Sequence, residues 1–152
     1  MVNGFNCFLI LAPHTDDGEF GCGGTIAKLV ALGKEVHYVA FSDCEKSLEP
    51  GLAPDTLVNE LMCATKKLGI PQDHVLVKKY EVRCFGRDRQ EILEDLVYLN
   101  KEINPDLVFL PSPKDLHQDH NTIAMEGLRA FKLSSTILGY EVPWNNLSFN
   151  TT

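Results

Sequence analysis

Apolar runs of strand length alternate along the chain with segments whose apolar residues recur at helical spacing, and few folds suit that alternation. Residues 7–12 (CFLILA) carry no charged or strongly polar side chain, the pattern of a strand buried on both faces of a parallel sheet. Further strands are predicted over 36–41, 74–77, 107–110 and 136–140. Between them, Gly-Cys-Gly-Gly opens a helix predicted over 25–32, with Ile26, Leu29 and Val30 on one face and Gly33 as its stop. Asp55 is placed to cap a second helix through Leu68, with Leu57, Leu61, Ala64 and Leu68 on one stripe before Gly69 and Pro71. A third helix over 88–103 turns Ile92, Leu96 and Leu99 inward, and a fourth follows a Pro-, Asp- and His-rich loop (111–119) to about Lys132. Five strands and four helices in this order imply right-handed crossovers and a three-layer α/β/α sandwich with a mostly parallel, Rossmann-like sheet.

The 152 residues, 44% hydrophobic and 23% charged, suit one globular domain over 1–152 with a core of its own. Fourteen Lys and Arg against 21 Asp and Glu give a net charge of −7, and the basic residues do not cluster, so nucleic acid is not an expected partner. Cys7, Cys22, Cys44, Cys63 and Cys84 are odd in number and lack CxxC spacing, which argues against a zinc ribbon and for reduced, mostly buried thiols. The N-terminus has no positively charged leader, and no apolar stretch approaches the ~18 residues that span a bilayer. A cytoplasmic protein without a membrane span is expected.

In open α/β sheets ligands bind beyond the carboxyl ends of the strands. Two acid- and imidazole-rich clusters fall there. Pro13-His14-Thr15-Asp16-Asp17-Gly18-Glu19 follows the first strand, and His117-Gln118-Asp119-His120 follows the fourth. A catalytic zinc takes three ligands of the His, Asp or Glu type and keeps one position for water, and His14, Asp17 and His120 supply that count. His14 and Asp17, three apart in a turn, can converge while Asp16 is left to act as a base. Asp119 is placed to hold a histidine ring through its second N–H. The same two histidines and one carboxylate would also suit a non-heme iron(II) enzyme, although the βα order is not the all-β architecture expected for that use. The glycines at 18, 21, 23 and 24 invite a third reading, a non-catalytic nucleotide-binding module. Against it, Asp16, Asp17 and Glu19 would face a pyrophosphate with negative charge, so the glycines are read as allowing close packing of a helix start on the sheet. His37 and His74 are read as structural, and Cys22 as a packing residue. Loop 42–54 leaves the second strand where substrate selection is expected.

The run Pro-His-Thr-Asp-Asp-Gly-Glu-Phe-Gly-Cys-Gly-Gly-Thr, with His-Gln-Asp-His later in the chain, resembles the PIG-L/LmbE family of zinc-dependent N-deacetylases, and Leu-Gly-Tyr-Glu-Val-Pro (138–143) resembles a later strand of that family. The resemblance implies zinc on His14, Asp17 and His120, Asp16 as general base, His117 steadying an oxyanion or assisting proton transfer, and Asp119 as an orienting acid. It implies an N-acetylated amino sugar or sugar conjugate as substrate. Thr15 stands where the family usually has Pro, Gly18 where it has Glu, and no arginine stands near Leu57 and Val58. Family members usually continue for further strands and a helix, so a C-terminal portion is expected to be missing. The sheet edge left open by that loss would favour a homo-oligomer.

Overall fold

The structure, a computed structural model, describes residues 4–146. Its five strands are β1 (Cys7–Ala12), β2 (Glu35–Ala40), β3 (Val75–Val77), β4 (Leu107–Pro111) and β5 (Thr136–Tyr140). They form one all-parallel sheet in the order β3-β2-β1-β4-β5. The helices are α1 (Asp17–Ala31), α2 (Thr56–Leu68), α3 (Arg89–Ile103) and α4 (Gln118–Phe131). Side chains alternate across the sheet, so β1 feeds two cores. Phe8, Ile10 and Ala12 pack with Cys22, Ile26 and Leu29 of α1 and Leu61 of α2. Leu9 and Leu11 pack with Ile92, Leu96 and Leu99 of α3 and Ile123, Ala124 and Phe131 of α4. This is the α/β/α sandwich expected from the alternation.

Two helix starts differ from expectation. The first helix begins at Asp17, not after the glycines, and takes Gly-Cys-Gly-Gly into its body with a kink at Cys22 (φ −145°, ψ 21°). Tertiary contact overrides the low helix propensity of glycine here. A Cβ on Gly18 would lie 2.7 Å from the Tyr38 ring, and one on Gly21 would collide with the ring of Tyr140, so the bare backbone lets α1 seat against two aromatic rings. Gly23 and Gly24 have no such neighbour. The fourth helix begins at Gln118 because His117 is its N-cap, accepting the Asp119 N–H on Nδ1 at 3.2 Å.

The chain order reverses between β1 and β4, which are neighbours in the sheet although nearly a hundred residues apart. That junction is the crevice where loops 13–16 and 112–117 leave the sheet side by side. None of the five cysteines is in a disulfide. Cys22 and Cys44 are buried, Cys7 and Cys84 half-buried, and Cys63 is exposed on α2, so fewer thiols are enclosed than expected. Among the described residues, no helix is long and apolar enough to cross a membrane.

Candidate metal centre

His14 and Asp17 come from the turn between β1 and α1, and His120 from the first turn of α4. Asp17 Oδ2 lies 3.1 Å from His14 Nδ1 and 3.2 Å from His120 Nε2, and those two nitrogens are 3.3 Å apart. The backbone sets this up locally, since the His14 N–H donates to the same Asp17 oxygen at 2.8 Å. Gly18 N–H donates to the Tyr38 hydroxyl at 3.1 Å, and that hydroxyl donates to the Thr15 carbonyl at 3.3 Å. Tyr38 therefore braces the turn from β2, in the space that a side chain at Gly18 would fill.

The far nitrogen of each ring is committed to a carboxylate. His14 Nε2 is 3.1 Å from Asp119 Oδ2, and His120 Nδ1 is 2.8 Å from Asp115 Oδ2. With those N–H groups donated outward, the neutral rings turn the lone pairs of His14 Nδ1 and His120 Nε2 toward Asp17, an arrangement that a shared cation satisfies once the inner protons have left. The donor set therefore fits a divalent ion of zinc or iron type. Asp119 is fully buried and also accepts the backbone N–H groups of Arg83 and Phe85, the second at 3.2 Å. Asp115 Oδ1 accepts the His117 N–H at 2.9 Å. His14, His117 and Asp119 form an overlapping trio, but Asp119 is already engaged by three donors and His117 Nδ1 by a backbone N–H, so the first trio is the better cage.

The electrostatics follow from this wiring. Burial alone would lower both metal-facing imidazoles, but the carboxylates outweigh it. His14 is held above its ordinary value by Asp119 and Asp17, and His120 is raised to about 9 by Asp115 and Asp17. Burial would raise Asp17, yet His120 and His14 hold it well below the carboxylate range. Asp119 is likewise lowered against its burial by the His14, Arg83 and Phe85 hydrogen bonds. Two groups go the other way. His117 is lowered by burial and by its two histidine neighbours, and Asp16 is raised by desolvation and by the Asp17 charge. Asp16 is the N-cap residue of α1, yet its side chain caps nothing, which leaves its carboxylate free at the pocket.

These groups open on a cavity of about 480 Å³. Its walls come from Cys44 and Ser47 of loop 42–54, Leu57 of α2, Val82 and Arg83 before α3, and Trp144. A larger hollow of about 610 Å³ lies between α1 and β5 and includes none of the histidines or aspartates of the centre. All six residues expected at the site, His14, Asp16, Asp17, His117, Asp119 and His120, meet at this junction. Cys22 does not; its thiol donates to the Gly18 carbonyl within α1. Asp43, the acid just beyond the second strand that a nucleotide-binding module would use for a ribose, accepts the Glu45 N–H in a turn. Sequence reasoning missed Asp115, whose signal is an acid five residues before His120, in the loop that leads into α4. It also missed Arg83, held in the left-handed region (φ 69°), whose backbone N–H supports Asp119 and whose side chain lines the pocket.

The sequence model of the PIG-L family, described as GlcNAc-PI de-N-acetylase, matches residues 9–131. The chain is similar to the uncharacterized deacetylase YaiS of Escherichia coli, 27% identical over 93% of this chain and 76% of that protein. It is 28% identical to the diacetylchitobiose deacetylase of Thermococcus kodakarensis, over 88% of this chain and 55% of the other. Among solved structures, the N,N'-diacetylchitobiose deacetylase of Pyrococcus horikoshii, complexed with its inhibitor, superposes with a TM-score of 0.75 at 26% identity, over 88% of this chain and 52% of that one. The chain thus spans about half the length of these two diacetylchitobiose deacetylases.

Proposed function

We propose that this chain, which belongs to the PIG-L family of GlcNAc-PI de-N-acetylases, is a divalent-metal-dependent hydrolase that removes the N-acetyl group from an amino sugar or sugar conjugate. The observation that carries the reading is the three-atom cage of His14 Nδ1, Asp17 Oδ2 and His120 Nε2, with every outward N–H of the two rings tied to a buried carboxylate. We assign zinc to it. An ion held there supplies a water activated near neutral pH and an electrophile for the acetyl oxygen.

The chain's own groups do the rest. Asp16 takes the proton of the attacking water, a task for which a raised carboxyl is suited, and passes it to the departing amine nitrogen. Burial and the two neighbouring histidines lower His117 and so favour its neutral form, in which Nδ1 accepts from the backbone and the proton resides on Nε2. That N–H donates to the oxygen of the tetrahedral carbon as charge develops. Asp119 and Asp115 keep the two ligand rings in the required tautomer. Acetate and the free amine are the products. Trp144, 63% exposed and edge-on to Phe20, offers an aromatic surface at the pocket for the sugar ring, and Arg83 offers a cation.

The test is acetate release from N-acetylglucosamine and N-acetylchitooligosaccharides by the metal-loaded chain, its chelated form and His120→Ala. Release that depends on metal and on His120 supports the reading. Turnover in the chelated protein, or dependence on oxygen and 2-oxoglutarate with iron(II), would reject it.

A further inference from the structure

A second group of ligating side chains stands at the opposite end of the sheet. Cys7 opens β1 and is the register partner of Glu35, which opens β2. His37 follows two residues along β2, so all three side chains project from the sheet face that carries Leu9, Leu11 and Val39. A thiol sulfur, a carboxylate oxygen and an imidazole nitrogen from the three lie within 4.8 Å of one another. The rise of β1 separates this cluster from His14 by roughly 20 Å.

The cluster is held in place from outside. The His37 ring stacks on His74, with centroids 4.1 Å apart and planes 11° from parallel, and His74 Nδ1 in turn donates to the Val36 carbonyl at 3.3 Å. His37 Nε2 is 2.7 Å from Glu35 Oε1. The Cys7 sulfur has one weak contact, with the Ile103 carbonyl at 3.8 Å. Burial, and then the charges of Glu35 and Asp106, push that thiol up to about 11, so an ion entering here displaces a firmly held proton while the two carboxylates favour its charge. The nearby cation, Lys34, is engaged by Asn6 Oδ1 at 3.0 Å. Sulfur and nitrogen donors suit zinc and its neighbours, whereas calcium and magnesium take oxygen.

We propose that Cys7, Glu35 and His37 form a second divalent-metal site, of zinc type, that clamps the amino ends of β1 and β2. Binding releases the Cys7 proton to solvent and replaces the Glu35–His37 hydrogen bond with bonds from sulfur, oxygen and nitrogen to the ion, a water completing the shell. This site stands apart from the deacetylase reading. Its ion lies too far from the pocket to take part in the chemistry there.

Cobalt(II) titration of the full chain under reducing conditions tests it, because the near-ultraviolet sulfur-to-cobalt charge-transfer band reports thiolate ligation, which the His14–Asp17–His120 cage cannot give. The expected result is that band with two equivalents bound per chain. Cys7→Ser abolishes the band and one equivalent. Glu35→Gln and His37→Gln each weaken binding at this site at least tenfold, and either serves if Cys7→Ser fails to fold. His120→Ala removes the other equivalent and leaves the band, so failure of one site is distinguished from failure of the other. Absence of the band in the unsubstituted chain, or its survival in Cys7→Ser through another thiol, overturns the proposal.

Discussion

Replacing Asp115 with Asn tests the wiring of the centre without touching a proposed ligand. The substitution keeps the volume and an acceptor but removes a charge that is 1% exposed and 2.8 Å from His120 Nδ1. Two effects follow. Losing the partner that orients a ligand imidazole weakens metal binding roughly 10–100-fold, or about 1.4–2.7 kcal/mol. The metal-free chain changes as well. Lifting an imidazole from 6.5 to about 9 corresponds to roughly 3 kcal/mol of stabilisation. Because the folded value lies above the unfolded one, that stabilisation is complete below pH 6.5 and disappears as pH rises through 9. Asp115 and Asp17 share it, so Asp115→Asn should remove a substantial part of it. Chelator competition reads the first effect, and urea unfolding of the metal-free protein at pH 6.5 and 9 reads the second. A variant that binds metal as tightly as the parent and loses as much stability between those pH values would refute the assigned role of Asp115.

The other expectations are briefer. Asp16→Asn should retain stoichiometric metal while kcat falls roughly 10²–10⁴-fold; undiminished turnover would remove Asp16 as the base. Asp17→Ala should abolish metal binding at the centre, as read by metal analysis after dialysis. Metal affinity should increase from pH 6.5 to 9, because the protons that His14 and His120 retain must leave before an ion enters; calorimetry in buffers of different ionisation enthalpy counts those protons. Gly21→Ala should cost about 1–3 kcal/mol by driving a methyl into the Tyr140 ring.

Legibility tracked periodicity. The strands and the helices α2 and α3 were readable because their buried residues, such as Leu61, Ile92, Leu96 and Leu99, repeat at the spacing of the element. The start of α1 was not readable. Segment 17–24 has almost no apolar repeat, and the helix is held there by Tyr38 and Tyr140, which arrive from β2 and β5. His14, Asp17 and His120 could be found because acids and imidazoles stand where parallel strands end. The supports of that trio were less accessible. Asp115 looks like an ordinary loop acid, and the groups that hold Asp119 from loop 78–88 are main-chain N–H groups, which leave no mark in a side-chain pattern. The departure at Gly18 from the usual family residue also gains a reason in space, since Tyr38 occupies the room beside it; nothing in the structure explains Thr15.

The two rings that face each other across Asp17 belong to residues 106 positions apart, on segments that follow adjacent strands. Neither half of the polypeptide contains a complete set of donors. Affinity for the ion thus arises only when β4 docks beside β1, which makes occupancy a gauge of tertiary closure. A fragment that stops before the fourth strand would keep the Pro-His-Thr-Asp-Asp signature and have no grip on metal through it.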